Sequence, residues 1–317
     1  MKAVPWREAW QDALYGPRGF YRDAGGPAAH FTTSTHGGAG RVLAEALWAW
    51  AGALGADGVV DVGAGRGELL RHLSAAGPGR PLTGVDVVAR PAGLPELIDW
   101  VVSPGGARLP EDLAPRNALV IAHEWLDVVP CTLAEVDADH VLREVHVDVA
   151  TGKESLNGPL NATDLQWCQQ FWPSALSPDA EPGDRVEVGR QRDIAWQDLL
   201  GRMSGGTAIA VDYGHRVGHR PRKGTFTAYR EGMQVSPFPD GGCDLTAHVA
   251  VDSLRHDELL SQHDALHRAG VTGRTPDHAM SRTDPAGYLA ELARASAASS
   301  LLSSNGFGGF WWIIARP

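Results

Sequence analysis

Three glycines at alternate positions, Gly63, Gly65 and Gly67, follow the run Val59-Val60-Asp61-Val62. That spacing lets a backbone turn sharply and come close to a bound molecule. Leu69, Leu70, Leu73 and Ala76 then repeat at helical spacing, and Gly77-Pro78 closes the run. A buried strand, a glycine turn and a helix make the ligand-binding corner of a doubly wound α/β fold. The pattern is G-x-G-x-G, whereas a dinucleotide site has G-x-G-x-x-G. Glu68 stands where the third dinucleotide glycine belongs. A carboxylate at a helix start opposes a pyrophosphate, because that end favours anions. A cationic sulfonium meets no such objection. The expected ligand is S-adenosyl-L-methionine (SAM), with S-adenosylhomocysteine (SAH) as its product. Asp86 closes the next apolar run, Pro81 to Val85, where it can accept hydrogen bonds from ribose hydroxyls. NAD sites share that acid, so it does not discriminate. A tight turn with no ligand is the plain alternative.

Methyl transfer from a sulfonium needs alignment of donor and acceptor, and a base if the acceptor must lose a proton. Glu124 and Asp127 follow the apolar strand Ala118–Ala122, at the carboxyl edge where open α/β sheets bind ligands. Asp212 ends a fifth strand, Thr207–Asp212, and His248 lies in Thr246-Ala247-His248. These four are the candidates for catalysis or acceptor contact. In the plainer readings Glu124 caps a helix, Asp127 makes a surface pair and His248 is a structural hydrogen bonder. His263 with His267, and His215 with His219, have metal-compatible spacing but no evident acidic third ligand. A solvated face explains them, and no metal is expected.

The elements needed to hold these residues are legible in outline. A helix is expected from Trp6 to Leu14 and another over Val42–Leu54, with loops at Gly19–Tyr21 and His30–Thr35. Ile98–Val102 reads as the third strand. Thr132–Asp137 and Val141–Val149 alternate as an antiparallel hairpin, and Leu165–Trp172 reads as a helix. The stretch at about 131–183 therefore reads as an insertion over the carboxyl edge of the sheet. Asp184–Val188 is a further strand and Ile194–Met203 a helix. Residues 213–250 are rich in Gly and Pro and read as a long functional loop region. Helices at Ser253–Ala269 and Pro285–Ser303 precede a last strand, Phe310–Ile314. The expected organisation is an N-terminal wrap or lid at 1–40 and one domain at 41–317.

Composition narrows the function classes. A chain of 317 residues with 43% hydrophobic content can bury a large α/β core. The formal net charge is −10 and no Lys/Arg block occurs, which argues against a nucleic-acid partner. The three cysteines are widely spaced and show no C-x-x-C pair, which fits a reducing compartment. No leader pattern and no apolar run long enough for a bilayer are seen, so a cytoplasmic location without membrane insertion is expected.

Five segments together resemble the MidA-like SAM-dependent methyltransferases, the family of the mitochondrial complex I assembly-factor arginine methyltransferase. They are Asp61–Leu69, His123–Pro130, Val211–Gly214, Gly224–Tyr229 and Asp244–Val249. The last, Asp-Leu-Thr-Ala-His-Val, is the most specific. The resemblance runs from about Gly19 to the C-terminus. It implies a class I, Rossmann-like methyltransferase fold: a doubly wound, mostly parallel seven-stranded sheet with its last strand antiparallel, and a substrate-side insertion. Asp61, Gly63, Gly65, Gly67 and Asp86 are then the expected cofactor residues. Three positions depart from the family pattern: His36 replaces an acid, His123 an Asn, and Gly232 a His.

Three functions compete. One is a methyltransferase acting on a protein side chain, with an arginine nitrogen as the candidate. Another keeps SAM but takes a small-molecule N- or O-acceptor. A third is a non-catalytic SAM-binding or apo assembly factor. A protein or small-molecule acceptor is thus the expected partner, with homodimerisation left open.

Overall fold

The computed structural model describes residues 3–22, 34–77, 79–304 and 306–317. Seven strands form the central sheet: β1 Gly58–Val62, β2 Leu82–Asp86, β3 Ile98–Val102, β4 Arg116–His123, β5 Ser204–Asp212, β6 Glu258–Ser261 and β7 Trp311–Ala315. Their order is β3-β2-β1-β4-β5-β7-β6. β7 pairs antiparallel with both β5 and β6, and the remaining neighbours pair in parallel. This is the expected doubly wound sheet, with the apolar last strand inside it.

Side chains along the inner strands alternate between two buried layers, which is why the strands read as continuous apolar runs. Leu119, Ile121, Ile209 and Trp312 pack on one side, with helices Gly37–Ala53 and Glu68–Ala76. Val120, Ala122, Ala208 and Ile313 pack on the other, with Trp196 and Leu199 of helix Arg190–Arg202. Order reverses between β1 and β4, so a crevice opens at their carboxyl ends.

A second sheet combines Val4–Pro5, Thr132–Val136, Leu142–Val147, Glu154–Pro159 and Arg185–Val188. Helix Trp6–Tyr15 packs against it, with Trp6, Trp10 and Leu14 buried beside Leu133, Val145 and Leu245. Among the described residues, no helix is long and apolar enough to cross a membrane.

Several boundaries differ from expectation. The helix expected at Val42 starts at Gly37. Glycine content hides the first turn, yet a Cβ on Gly40 would sit 1.9 Å from the Thr35 carbonyl oxygen. The expected helix Ser253–Ala269 is strand β6 followed by a short helix, Gln262–Arg268. Ser261 caps that helix by accepting the Asp264 N–H, a start signal that outweighs the apolar spacing upstream. The long loop region contains real strands: Thr227–Arg230 pairs with Met233–Val235 and with Asp244–Thr246. Phe310 precedes β7 and faces a cavity instead. Of the expected loops, His30–Thr33 lies outside the described residues, as do Pro78 and residues 1–2 and 23–33 of the expected 1–40 wrap.

Candidate functional site

The glycine turn forms one wall of a cavity of about 430 Å³. Gly63 and Gly65 have φ of +76° and +57°, a left-handed backbone that suits glycine. A Cβ on Gly63 would stand 3.2 Å from Trp125 Cβ. The Gly63 and Ala64 N–H groups both donate to the Val85 carbonyl, at 2.9 and 3.2 Å, and so dock the turn on β2. Glu68 opens helix Glu68–Ala76, and its Oε2 accepts the Arg66 N–H at 2.9 Å.

Asp86 stands across the turn. Its Oδ2 accepts the Gly65 N–H at 2.8 Å and its Oδ1 the Val88 N–H at 3.3 Å. Each oxygen keeps a lone pair for a further donor. Burial lifts this carboxyl to about 6, against the lowering effect of the Gly65 and Val88 N–H groups. Asp61, Gly63, Gly65 and Asp86 all line the cavity. Gly67 is off the wall: it caps the helix at φ +76°, and a Cβ there would meet Leu94 at 2.7 Å. A bare backbone turn facing a half-buried acid fits the nucleoside and sulfonium of SAM.

The opposite wall is acidic. Glu124 follows β4 with φ +50°, an uncommon conformation for a non-glycine residue, and its N–H donates to the Val211 carbonyl at 2.9 Å. Asp127 is 2% exposed. Its Oδ2 accepts the Tyr213 hydroxyl and, at 2.8 Å, the Thr246 hydroxyl. Among the described residues, Asp127 Oδ1 is buried without a hydrogen-bond partner, and Glu124 Oε1 has only the His123 Nδ1 nearby, at 3.4 Å. Asp244 adds a third carboxyl, its Oδ1 accepting the Tyr21 hydroxyl at 2.7 Å. Glu124, Asp127 and Asp244 line the same cavity. Burial lifts Glu124 to about 8, with Asp127 and Asp244 adding to the rise. Arg192, 1% exposed, supports this wall from below. Its guanidinium donates to the carbonyls of Asp127 at 2.7 Å, His248 at 2.8 Å and Val129 at 3.1 Å.

The structure does not bring Asp212 to the cavity. Asp212 is fully buried, and its Oδ2 accepts the Leu126 N–H at 3.0 Å. It shares parity with Ala208 and Ala210, which face helix Arg190–Arg202. His248 does reach the cavity, from an exposed position, with its ring edge-on to Tyr213. Although the residue as a whole is exposed, desolvation of its ring by the surrounding atoms lowers its pKa, with the Arg192 charge adding to the fall and Asp127 opposing it. The three departures from the family pattern, His36, His123 and Gly232, all line the cavity. His123 sits 2.8 Å from the Ser34 hydroxyl through Nε2, and burial pulls it down to about 4.

Sequence reasoning missed Asp244, Tyr21 and Tyr213 as site residues. Asp244 opens the most specific matching segment, in which His248 is the residue whose type announces chemistry. Tyr21 stands in a short stretch whose sequence shows only a loop.

The buried acid has a consequence for stability. Burial lifts Asp244 from an ordinary 3.8 to about 8, partly offset by the Tyr21 hydroxyl and reinforced by Asp127. Between those values the unfolded chain ionises Asp244 while the folded protein keeps it protonated. Stability from this residue is therefore lost as pH rises from about 4 to about 8 and is flat above. Asp244→Asn removes this dependence. Thermal melts of the ligand-free proteins should show wild type losing ground against the variant across that window. A gap independent of pH would contradict the burial argument.

A family model described as "Putative S-adenosyl-L-methionine-dependent methyltransferase" matches residues 91–271, more than half of the chain. That span carries the acidic wall and leaves the glycine turn outside. No curated protein matches the chain. Two solved structures from Burkholderia thailandensis share the fold. A superfamily member bound to S-adenosyl-homocysteine is 22% identical with a TM-score of 0.73, over 99% of this chain and 88% of that one. A native structure of an uncharacterised superfamily protein is 23% identical with a TM-score of 0.74, over 99% and 87% of the two chains.

Proposed function

The chain belongs to this family of SAM-dependent methyltransferases, and from that premise we propose that its acceptor is the side chain of a protein arginine. The observation that carries the reading is the set of Glu124, Asp127 and Asp244 on one cavity wall, with Asp127 Oδ1 buried and unpartnered. A guanidinium stays charged at neutral pH and presents a planar fork of donors. Carboxylates both orient that fork and offset its charge. Buried acids without a cation are costly when ionised, which is why Glu124 is pushed up.

Bound SAM supplies an activated methyl group. We place its nucleoside against Asp86 and the backbone of Gly63 and Gly65, with Asp61 close by. Asp127, fixed by Tyr213 and Thr246, orients the acceptor nitrogen. Glu124 accepts the proton that the nitrogen must release. His248 contacts the acceptor at the rim. Residues 41–317 act as the methyltransferase domain, with the N-terminal segment supplying Tyr15 and Tyr21 to the cavity.

A small-molecule acceptor is the second reading, favoured by one observation: His36, His123 and Gly232 all fall on the cavity wall. Methyl-labelled SAM, incubated with enzyme and a lysate split into protein and metabolite fractions, separates the two. Label in protein, lost in Glu124→Gln, is the expected result. Label confined to metabolites rules out the protein acceptor. SAM binding with label in neither fraction favours a non-catalytic assembly factor.

A further inference from the structure

Asp244 is held in a way that no part of the methyl-transfer chemistry requires. It lies on strand Asp244–Thr246, where residues two apart share a face. Thr246 on that face donates to Asp127 Oδ2 at 2.8 Å. Asp244 therefore looks into the same chamber, roughly 7 Å further along the strand. Its orientation comes from Tyr21, whose hydroxyl donates to Oδ1 at 2.7 Å. Tyr21 in turn stacks on Tyr15, with ring centroids 5.5 Å apart, and the Tyr15 hydroxyl donates to the Val128 carbonyl at 3.1 Å. Two tyrosines from the N-terminal segment thus aim a carboxylate from a distant strand. Asp127 supplies an independent sign of a ligand, being 2% exposed on the cavity wall with an unpartnered Oδ1.

We propose that Asp244, aimed by Tyr21, is the specificity-determining acid of the acceptor site: paired with Asp127, it receives the donor fork of a guanidinium while leaving proton removal to Glu124. Two carboxylates reaching the same cavity from different segments, the loop after β4 and strand Asp244–Thr246, suit the planar donor fork of a guanidinium better than a single ammonium. This assignment presupposes the cationic acceptor proposed above.

Titration calorimetry on SAH-saturated protein tests it, with Nα-acetyl-arginine methylamide and its neutral citrulline counterpart as probes. Wild type should prefer the arginine probe. Asp244→Asn should weaken the arginine probe by roughly ten- to a hundredfold, the range of a charge-assisted hydrogen bond, and leave the citrulline probe and SAH unchanged. Tyr21→Phe keeps the ring and the carboxylate, so it should show a smaller loss in the same direction. Asp244→Asn binding the arginine probe as wild type does would overturn the assignment alone. The same holds if Asp244→Asn loses SAH binding and Tyr21→Phe leaves arginine binding intact. Wild type binding both probes equally, or neither, would overturn the cationic acceptor itself and this assignment with it.

Discussion

Replacing Glu124 by glutamine should slow methyl transfer by roughly 10²- to 10⁴-fold, the usual contribution of a positioned base. Glutamine keeps the size of the side chain but cannot take a proton at neutral pH. The loss should fall on kcat, because acceptor and cofactor are still held by other residues. SAH affinity should match wild type, since Asp86 and the glycine turn are untouched. The pH profile gives a second readout. Burial lifts Glu124 to about 8 in the ligand-free protein. A base works only when ionised, so kcat/KM should climb as pH rises through about 8 and then level. The glutamine variant should lose that climb. An unchanged profile in the variant would move the base role elsewhere, with His248 the next residue to examine.

Gly63→Val should abolish useful cofactor binding. Gly63 has φ +76°, where an ordinary side chain costs about 1–2 kcal/mol and a β-branched one more. The added Cβ would also press on Trp125 at 3.2 Å. Trp125 lies between Glu124 and Leu126, so the strain reaches the acidic wall as well. SAH affinity should drop by roughly 100-fold or more, as the sum of backbone strain and steric displacement. Calorimetry with SAH measures it directly. Retained affinity would mean that the turn does not approach the nucleoside closely.

The strand, glycine turn and helix at Val59–Ala76 were legible because their constraints are local. Alternate glycines, a buried strand before them and an acid at the next strand end are all short-range features. The central sheet was legible for a related reason: strands buried on both faces read as apolar runs, as β4 and β7 do. The short strand β6 was not, because four residues beside a helix share its apolar spacing. Asp212 shows another limit. Its place at a strand end was readable, but the face it takes depends on the parity of β5 against helix Arg190–Arg202. Asp244 was hidden differently. Its partners come from Tyr21 near the N-terminus and from the Asp127 loop, so only the folded chain brings the three acids together.

One measurement tests the central claim most directly: a crystal structure of the protein with SAH bound. The ribose hydroxyls should lie within hydrogen-bond distance of the Asp86 carboxylate, with the nucleoside against Gly63 and Gly65. The sulfur should face the open chamber bounded by Glu124, Asp127 and Asp244. SAH bound with its sulfur turned away from those three acids, or with its ribose remote from Asp86, would contradict the account.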